Sequence, residues 1–152
     1  MQTESAFAVL PRIDFPRGQS SARVKPVITP DTQPHFDGLR EGVLVLPECS
    51  ECKHVGPPVG AACLWCGSAS RRWRNCSGLG TVHSWVRYHR AYLPEFESLV
   101  PYAVIAARLE EGPIMFGRWL SSSDPKIDAS VQTVVEQWAD GFCGLAFQER
   151  GP

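Results

Sequence analysis

Residues 49–67 read CSECKHVGPPVGAACLWCG. Two C-x-x-C pairs, Cys49/Cys52 and Cys63/Cys66, are separated by a loop of ten residues. A thiolate pair at this spacing curls the backbone into a knuckle that points both sulfurs at one centre. Two knuckles supply four thiolates, the donor set of a closed tetrahedral zinc site. All-sulfur ligation of this geometry selects zinc or iron, and zinc is the expected metal. Gly67 follows the second knuckle and accepts the positive φ that turns backbone N–H groups toward sulfur. Lys53 holds the matching place after the first knuckle. A closed site has no open coordination position, so its expected role is structural. A thioredoxin-type redox reading lacks a βαβ context.

Outward from this stretch the chain changes character. The 152 residues bound it to one domain, or one small domain with a satellite. Thirteen prolines and thirteen glycines favour turns and short strands over long helices. Residues 1–33 carry Pro11, Pro16, Pro26 and Pro30 with no hydrophobic period and are expected as an extended arm. Its stretch Val24–Pro30 is apolar enough to lie on a partner. Residues 34–70 are expected to form a short helix (PHFDGLREG, with Phe36 and Leu39 on one side and Gly42 closing it) plus the ribbon, entered by a strand at Val43–Leu46. Residues 71–152 are expected to form the barrel. Candidate strands there are Arg71–Cys76, Thr81–Arg90, Tyr102–Glu110, Ile114–Leu120, Val131–Trp138 and Cys143–Glu149, with Gly78-Leu79-Gly80 a turn or bulge. Strand number and turn spacing point to a mainly β fold: a rubredoxin-like four-cysteine ribbon followed by a five-stranded OB-fold barrel.

Charge and targeting signals narrow the function. Net charge is -1, so no global field attracts nucleic acid or anionic lipid. The N-terminal region lacks a long apolar h-region, and no run approaches the ~20 apolar residues of a membrane helix. Metal-spaced cysteines without an export signal suit the reducing cytoplasm. No phosphate loop, nucleophile elbow or H-E-x-x-H occurs. Cys76 and Cys143 lie in β patterns, where a free cysteine is an ordinary core residue. An enzyme using Cys76 or His89 is the weakest reading.

Strict alternation puts His83, Trp85, Arg87 and His89 on one strand face, opposite Val82, Val86 and Tyr88. With Arg71, Arg72 and Arg74 upstream, that face could meet the phosphates of CoA. It could also meet single-stranded nucleic acid, with Trp73, Trp85 and Tyr88 as stacking rings. The charge of -1 and the opposite placement of Tyr88 weigh against nucleic acid. The loop Ala91–Val100 exposes Tyr92, Leu93 and Phe96, as a partner contact or a cap on the barrel mouth.

The order of features from about Phe36 to the C-terminus resembles the zinc-ribbon OB-fold proteins that accompany acyl-CoA enzymes. The features are FDGLREG, VLVLPECSEC, CLWCGS, GLGTVHSWVRYHRAYLPEF and PYAVIAARLEEGPIMFGRW. The resemblance implies a non-catalytic accessory subunit, with structural zinc on Cys49, Cys52, Cys63 and Cys66. It implies a hetero-oligomer with a thiolase-like or lipid-transfer-protein-like aldolase subunit acting on acyl-CoA, with CoA shared between them. The expected CoA or partner surface comprises Phe36, Leu39, Arg71, Arg72, Arg74, Trp85, Arg87, His89, Tyr92 and Phe96.

Overall fold

The structure, a computed structural model, describes residues 9–15 and 25–151. Its elements in chain order are β1 (Arg12–Asp14), α1 (Gln33–Glu41), β2 (Leu44–Cys49), β3 (Arg71–Cys76), β4 (Leu79–Tyr88), β5 (Tyr102–Leu109), β6 (Ile114–Trp119), β7 (Ser130–Gln137) and β8 (Cys143–Glu149). A 3₁₀ helix, Pro94–Leu99, lies between β4 and β5. Strands β4, β5, β6, β8 and β7 follow one another in the sheet, and β7 pairs again with β4, so five strands close a barrel. Strands β2 and β3 form a separate antiparallel ribbon carrying the knuckles. The expected mainly β architecture, ribbon plus five-stranded OB-type barrel, is what the chain adopts. Among the described residues no helix is long and apolar enough to cross a membrane.

The barrel interior is built from alternating side chains. Ala103, Ile105, Ala107 and Leu109 of β5 meet Val82, Met115, Trp119, Val131, Val135 and Phe147. Burying each large aliphatic or aromatic group contributes roughly 1.5–3 kcal/mol. Leu79 and Gly80 belong to β4 rather than to a turn. Gly80 pairs with Leu109 on one side and Val131 on the other. A Cβ there would stand 2.3 Å from the Arg108 carbonyl oxygen, so the close approach requires glycine.

Two corrections concern faces. A bulge falls between Val82 and Ser84, so Val82 faces Ala107 while Ser84 faces Ala106. His83 is the extra residue, and side-chain parity reverses across it. Trp85 and Arg87 pair with the inward residues Ile105 and Ala103, so His83 does not continue their row. The second correction is Leu39, expected on a partner surface. It is 0% exposed and lies in the core. The buried stripe of α1 is His35, Gly38 and Leu39, with Phe36 at its margin. Gly38 lets the helix press on β2, since a Cβ there would meet Val45 Cγ2 at 2.5 Å. Gly42 closes the helix at φ 79°, as expected of a glycine C-cap.

Within the expected arm, residues 9–15 are docked. β1 pairs in parallel with β7 at residues 135–137, beyond the part of β7 that β4 covers at 130–132. The arm therefore satisfies backbone groups that the barrel leaves unpaired. Leu10 and Phe15 are buried. Arg12 bonds Gln137 Oε1 on the barrel and the Leu39 and Arg40 carbonyls at the end of α1. This one guanidinium thus ties the helix to the barrel. Three residues of alternation carry too little periodicity to announce a strand. Val24 lies outside the described residues, whereas Val27 and Ile28 of the same stretch are exposed.

Candidate metal centre

The two knuckles arise from the same local geometry. Lys53 N–H donates to the Cys49 carbonyl at 3.1 Å, and Gly67 N–H to the Cys63 carbonyl at 2.9 Å. Both residues that follow a second cysteine are left-handed, Lys53 at φ 63° and Gly67 at φ 77°. Lysine bears a steric cost of roughly 1–2 kcal/mol there that glycine avoids. The Lys53 ammonium returns to the Ser50 carbonyl at 2.6 Å.

The four sulfurs lie within 4.8 Å of one another. Across the knuckles, Cys49 and Cys66 approach to 3.6 Å, as do Cys52 and Cys63. A zinc tetrahedron with bonds of about 2.3 Å has edges of ~3.8 Å. The spacing fits that polyhedron and is far beyond the ~2.05 Å of a disulfide. The donor set therefore fits zinc, which Cys49, Cys52, Cys63 and Cys66 would hold.

Backbone N–H groups already favour thiolate at this site. The N–H of Cys52 and, beyond the opposing desolvation, that of Glu51 bring the Cys49 thiol down to about 7. The N–H groups of Cys66 and Trp65 lower Cys63, and Trp65 N–H lies 3.4 Å from its sulfur. The His54 N–H favours ionisation of Cys52 too, but desolvation and the three neighbouring sulfurs outweigh it and raise that thiol to about 12. A dication removes this mutual opposition by neutralising the cluster.

The other expected surface residues divide. Arg72 donates to Glu48 Oε1 and Arg74 to Glu48 Oε2 at 2.9 Å, around a carboxylate that is almost fully buried. Desolvation opposes ionisation of Glu48, but the two guanidiniums hold its carboxyl below the ordinary range. Arg71 bonds Asp31 and the Gly60 carbonyl and stands over Trp73. Arg87 pairs with Asp124 and lies over Trp85. His89 and Tyr92 are exposed, and Phe96 packs edge-on against Phe15. The cysteines outside the cluster are buried. Desolvation, followed by the Glu111 charge, pushes the Cys76 thiol up to about 12, the reverse of an activated nucleophile. Cys143 accepts from Arg12 at 3.3 Å.

A chain of aromatic contacts, not anticipated from residue spacing, runs from the loop after β4 to α1. Tyr92 meets Tyr88, Tyr88 stacks on Tyr102, and Tyr102 on Phe96. Phe96 meets Phe15, which stacks on Trp138 at 3.7 Å. Trp138 meets Phe142, which meets Phe36. Arg118 stands over Phe15 and bonds the buried Glu136. Burial raises the Glu136 carboxyl against the counter-pull of Arg118. These rings lie up to 127 positions apart, and no local spacing could have joined them.

Comparison with known proteins agrees with this architecture. Residues 73–136 match the family model described as ChsH2, C-terminal OB-fold domain. The solved structure "Ltp2-ChsH2(DUF35) aldolase" is similar at TM-score 0.72 and 25% identity, over 82% of this chain and 98% of that one. A DUF35-family protein of unknown function from Sulfolobus solfataricus shares the fold at TM-score 0.57 and 15% identity, over 80% of this chain and 86% of that chain. A "Probable enoyl-CoA hydratase alpha subunit" of Thermomonospora curvata is 29% identical over 114 residues, which are 75% of this chain and 35% of that protein. The chain thus spans about a third of that relative's length. The resemblance to ribbon-plus-OB proteins that accompany acyl-CoA enzymes is borne out.

Proposed function

We propose that this chain, whose barrel segment matches the ChsH2 C-terminal OB-fold family, is a non-catalytic, zinc-stabilised accessory subunit. It supports an aldolase-like or thiolase-like enzyme that makes or breaks C–C bonds on acyl-CoA. The observation that carries the reading is the likeness to the ChsH2 of an aldolase complex, which extends over nearly the whole of that chain. The closed sulfur site and the buried Cys76 thiol, whose ionisation is disfavoured, are consistent with it, because the reacting groups would then belong to the partner. Arg72, Arg74 and Arg87 are ion-paired within the chain, so CoA would be held mainly by the partner. Tyr92 and Trp85 remain exposed for the contact, in the reducing cytoplasm.

Co-expression with the aldolase-like or thiolase-like enzyme encoded beside it tests this. The two should co-purify as a hetero-oligomer, and the enzyme should lose solubility or activity without this chain. An enzyme that is soluble, fully active and never co-purifies would overturn it. The nucleic-acid reading gains no support, since the arginines it needs are engaged and Trp85 and Tyr88 lie on opposite strand faces.

A further inference from the structure

One edge of β4 is only partly covered by the barrel. β7 pairs along it at residues 79–81, and the segment before β7 extends the cover to Val82. There Val82 N–H donates to the Ala129 carbonyl at 3.0 Å, and the Val82 carbonyl accepts from Asp128 N–H at 2.9 Å. The bulge at His83 follows at once, and bulges are a usual means of ending a ladder. Beyond it, β4 pairs with β5 on its other side.

The register fixes which groups this edge presents. Along β5 successive residues bond opposite neighbours. Leu109 N–H donates to the Pro113 carbonyl on the β6 side, whereas Glu110 N–H donates to the Leu79 carbonyl on the β4 side. The odd residues Ile105 and Ala103 therefore turn their backbone groups away from β4, and so do the residues opposite them, Trp85 and Arg87. The N–H and C=O of Trp85 and Arg87 thus face outward, and among the described residues no backbone group meets them. Such a row is a template for another strand. The chain answers one open edge in this way itself, since β1 lies along β7 where β4 does not reach.

Side chains beside the edge define what fits it. Residues 83–86 are all exposed, with Trp85 and Val86 on opposite faces. Residues 81–94 contain His83, Arg87, His89 and Arg90 but no Asp or Glu. Asp124 answers Arg87, and Arg90 is exposed with no ionic partner among the described residues. A second copy in antiparallel pairing would bring these cations together. An extended segment bearing carboxylates and apolar side chains fits instead, its backbone held by the edge.

We propose that the open edge of β4 takes up an extended, acidic segment of the acyl-CoA enzyme as an added β-strand, bonded to the Trp85 and Arg87 backbone. This rests on the accessory-subunit reading, and one experiment separates the two. Hydrogen exchange is read residue by residue in the co-purified complex and in the chain alone. In the complex the Trp85 and Arg87 amides should exchange at least about tenfold more slowly, as one added hydrogen bond each requires. The Val86 and Tyr88 amides, which turn toward β5, should change little. Trp85→Pro deletes the outward N–H and leaves the β4–β5 bonds in place. It should weaken the complex about tenfold more than Trp85→Ala, the scale of one hydrogen bond. Arg90→Glu should weaken it about threefold, as fits one exposed charge pair. A complex in which the two amides are unprotected, or in which Trp85→Pro equals Trp85→Ala, overturns the added strand and leaves the subunit reading standing. Unchanged or tighter binding of Arg90→Glu overturns the acidic character of the segment. If no complex forms, the subunit reading falls and the strand with it. Protection of the two amides in the chain alone would show the edge already covered, by this chain or by a second copy, and would overturn the proposal.

Discussion

Cys63 shows how much depends on single atoms. Its sulfur closes one edge of the tetrahedron and receives the Trp65 N–H. Structural zinc contributes on the order of 10 kcal/mol to folding in modules this small. Cys63→Ser should therefore lose the metal, from about one equivalent to none by elemental analysis, and leave residues 49–70 open to protease. A metal-free ribbon that resists protease equally well would refute this. His35 makes a different prediction. Desolvation lowers its pKa below 6.5, against the opposing Val45 bond. The neutral ring's contribution is then complete above about pH 6.5 and declines as pH falls through that value toward the lower folded pKa. Urea denaturation from pH 7.5 to 5, with pH values chosen about this range, should show wild type losing more stability than His35→Gln. The difference between the two cancels the shared acid sensitivity of the thiolates.

At the level of elements, the ribbon and barrel are joined by packing rather than by a shared sheet. Among the described residues β3 pairs only with β2, although Arg71–Cys76 runs on closely into β4. The arm adds to that packing: Arg12 grips the end of α1, and Phe15 lies between Trp138, Phe96 and Arg118. Phe15→Ala should cost about 3 kcal/mol, the usual scale for emptying a buried aromatic position. Hydrogen exchange should then quicken at the amides of β1 and at Val135, whose N–H donates to the Pro11 carbonyl. Exchange unchanged there would mean that the arm is dispensable.

For the whole molecule, the four-cysteine cluster stands some distance along the chain from the barrel but begins at Cys49, the end of the strand against which α1 packs. If the proposed subunit role is right, a strong chelator should weaken the complex with the acyl-CoA enzyme. Size-exclusion chromatography should then show the enzyme leaving without its companion, while barrel near-UV signals persist. A complex indifferent to chelation would place the contact on the barrel alone.

Sequence determined the parts whose causes are local. Four thiols at knuckle spacing can converge on one ion whatever surrounds them, and alternation in Tyr102–Leu109 gives an inward face whatever its neighbours are. A glycine can end a helix by its own backbone freedom, as Gly42 does. The remainder required the folded chain. The bulge at His83 depends on how β4 fits β5, and it reversed a row of side chains that alternation had joined. Arginines 72 and 74 look like a free basic patch until Glu48, over twenty residues away, is brought between them. Leu39 looks like half of a contact surface until β2 and the barrel bury it. The contact of Phe36 with Phe142, and through it with Trp138, exists only where α1 meets a hairpin about a hundred residues later. Short-range geometry is written in residue spacing, but burial and charge pairing depend on which distant surfaces meet, and only the tertiary structure settles that.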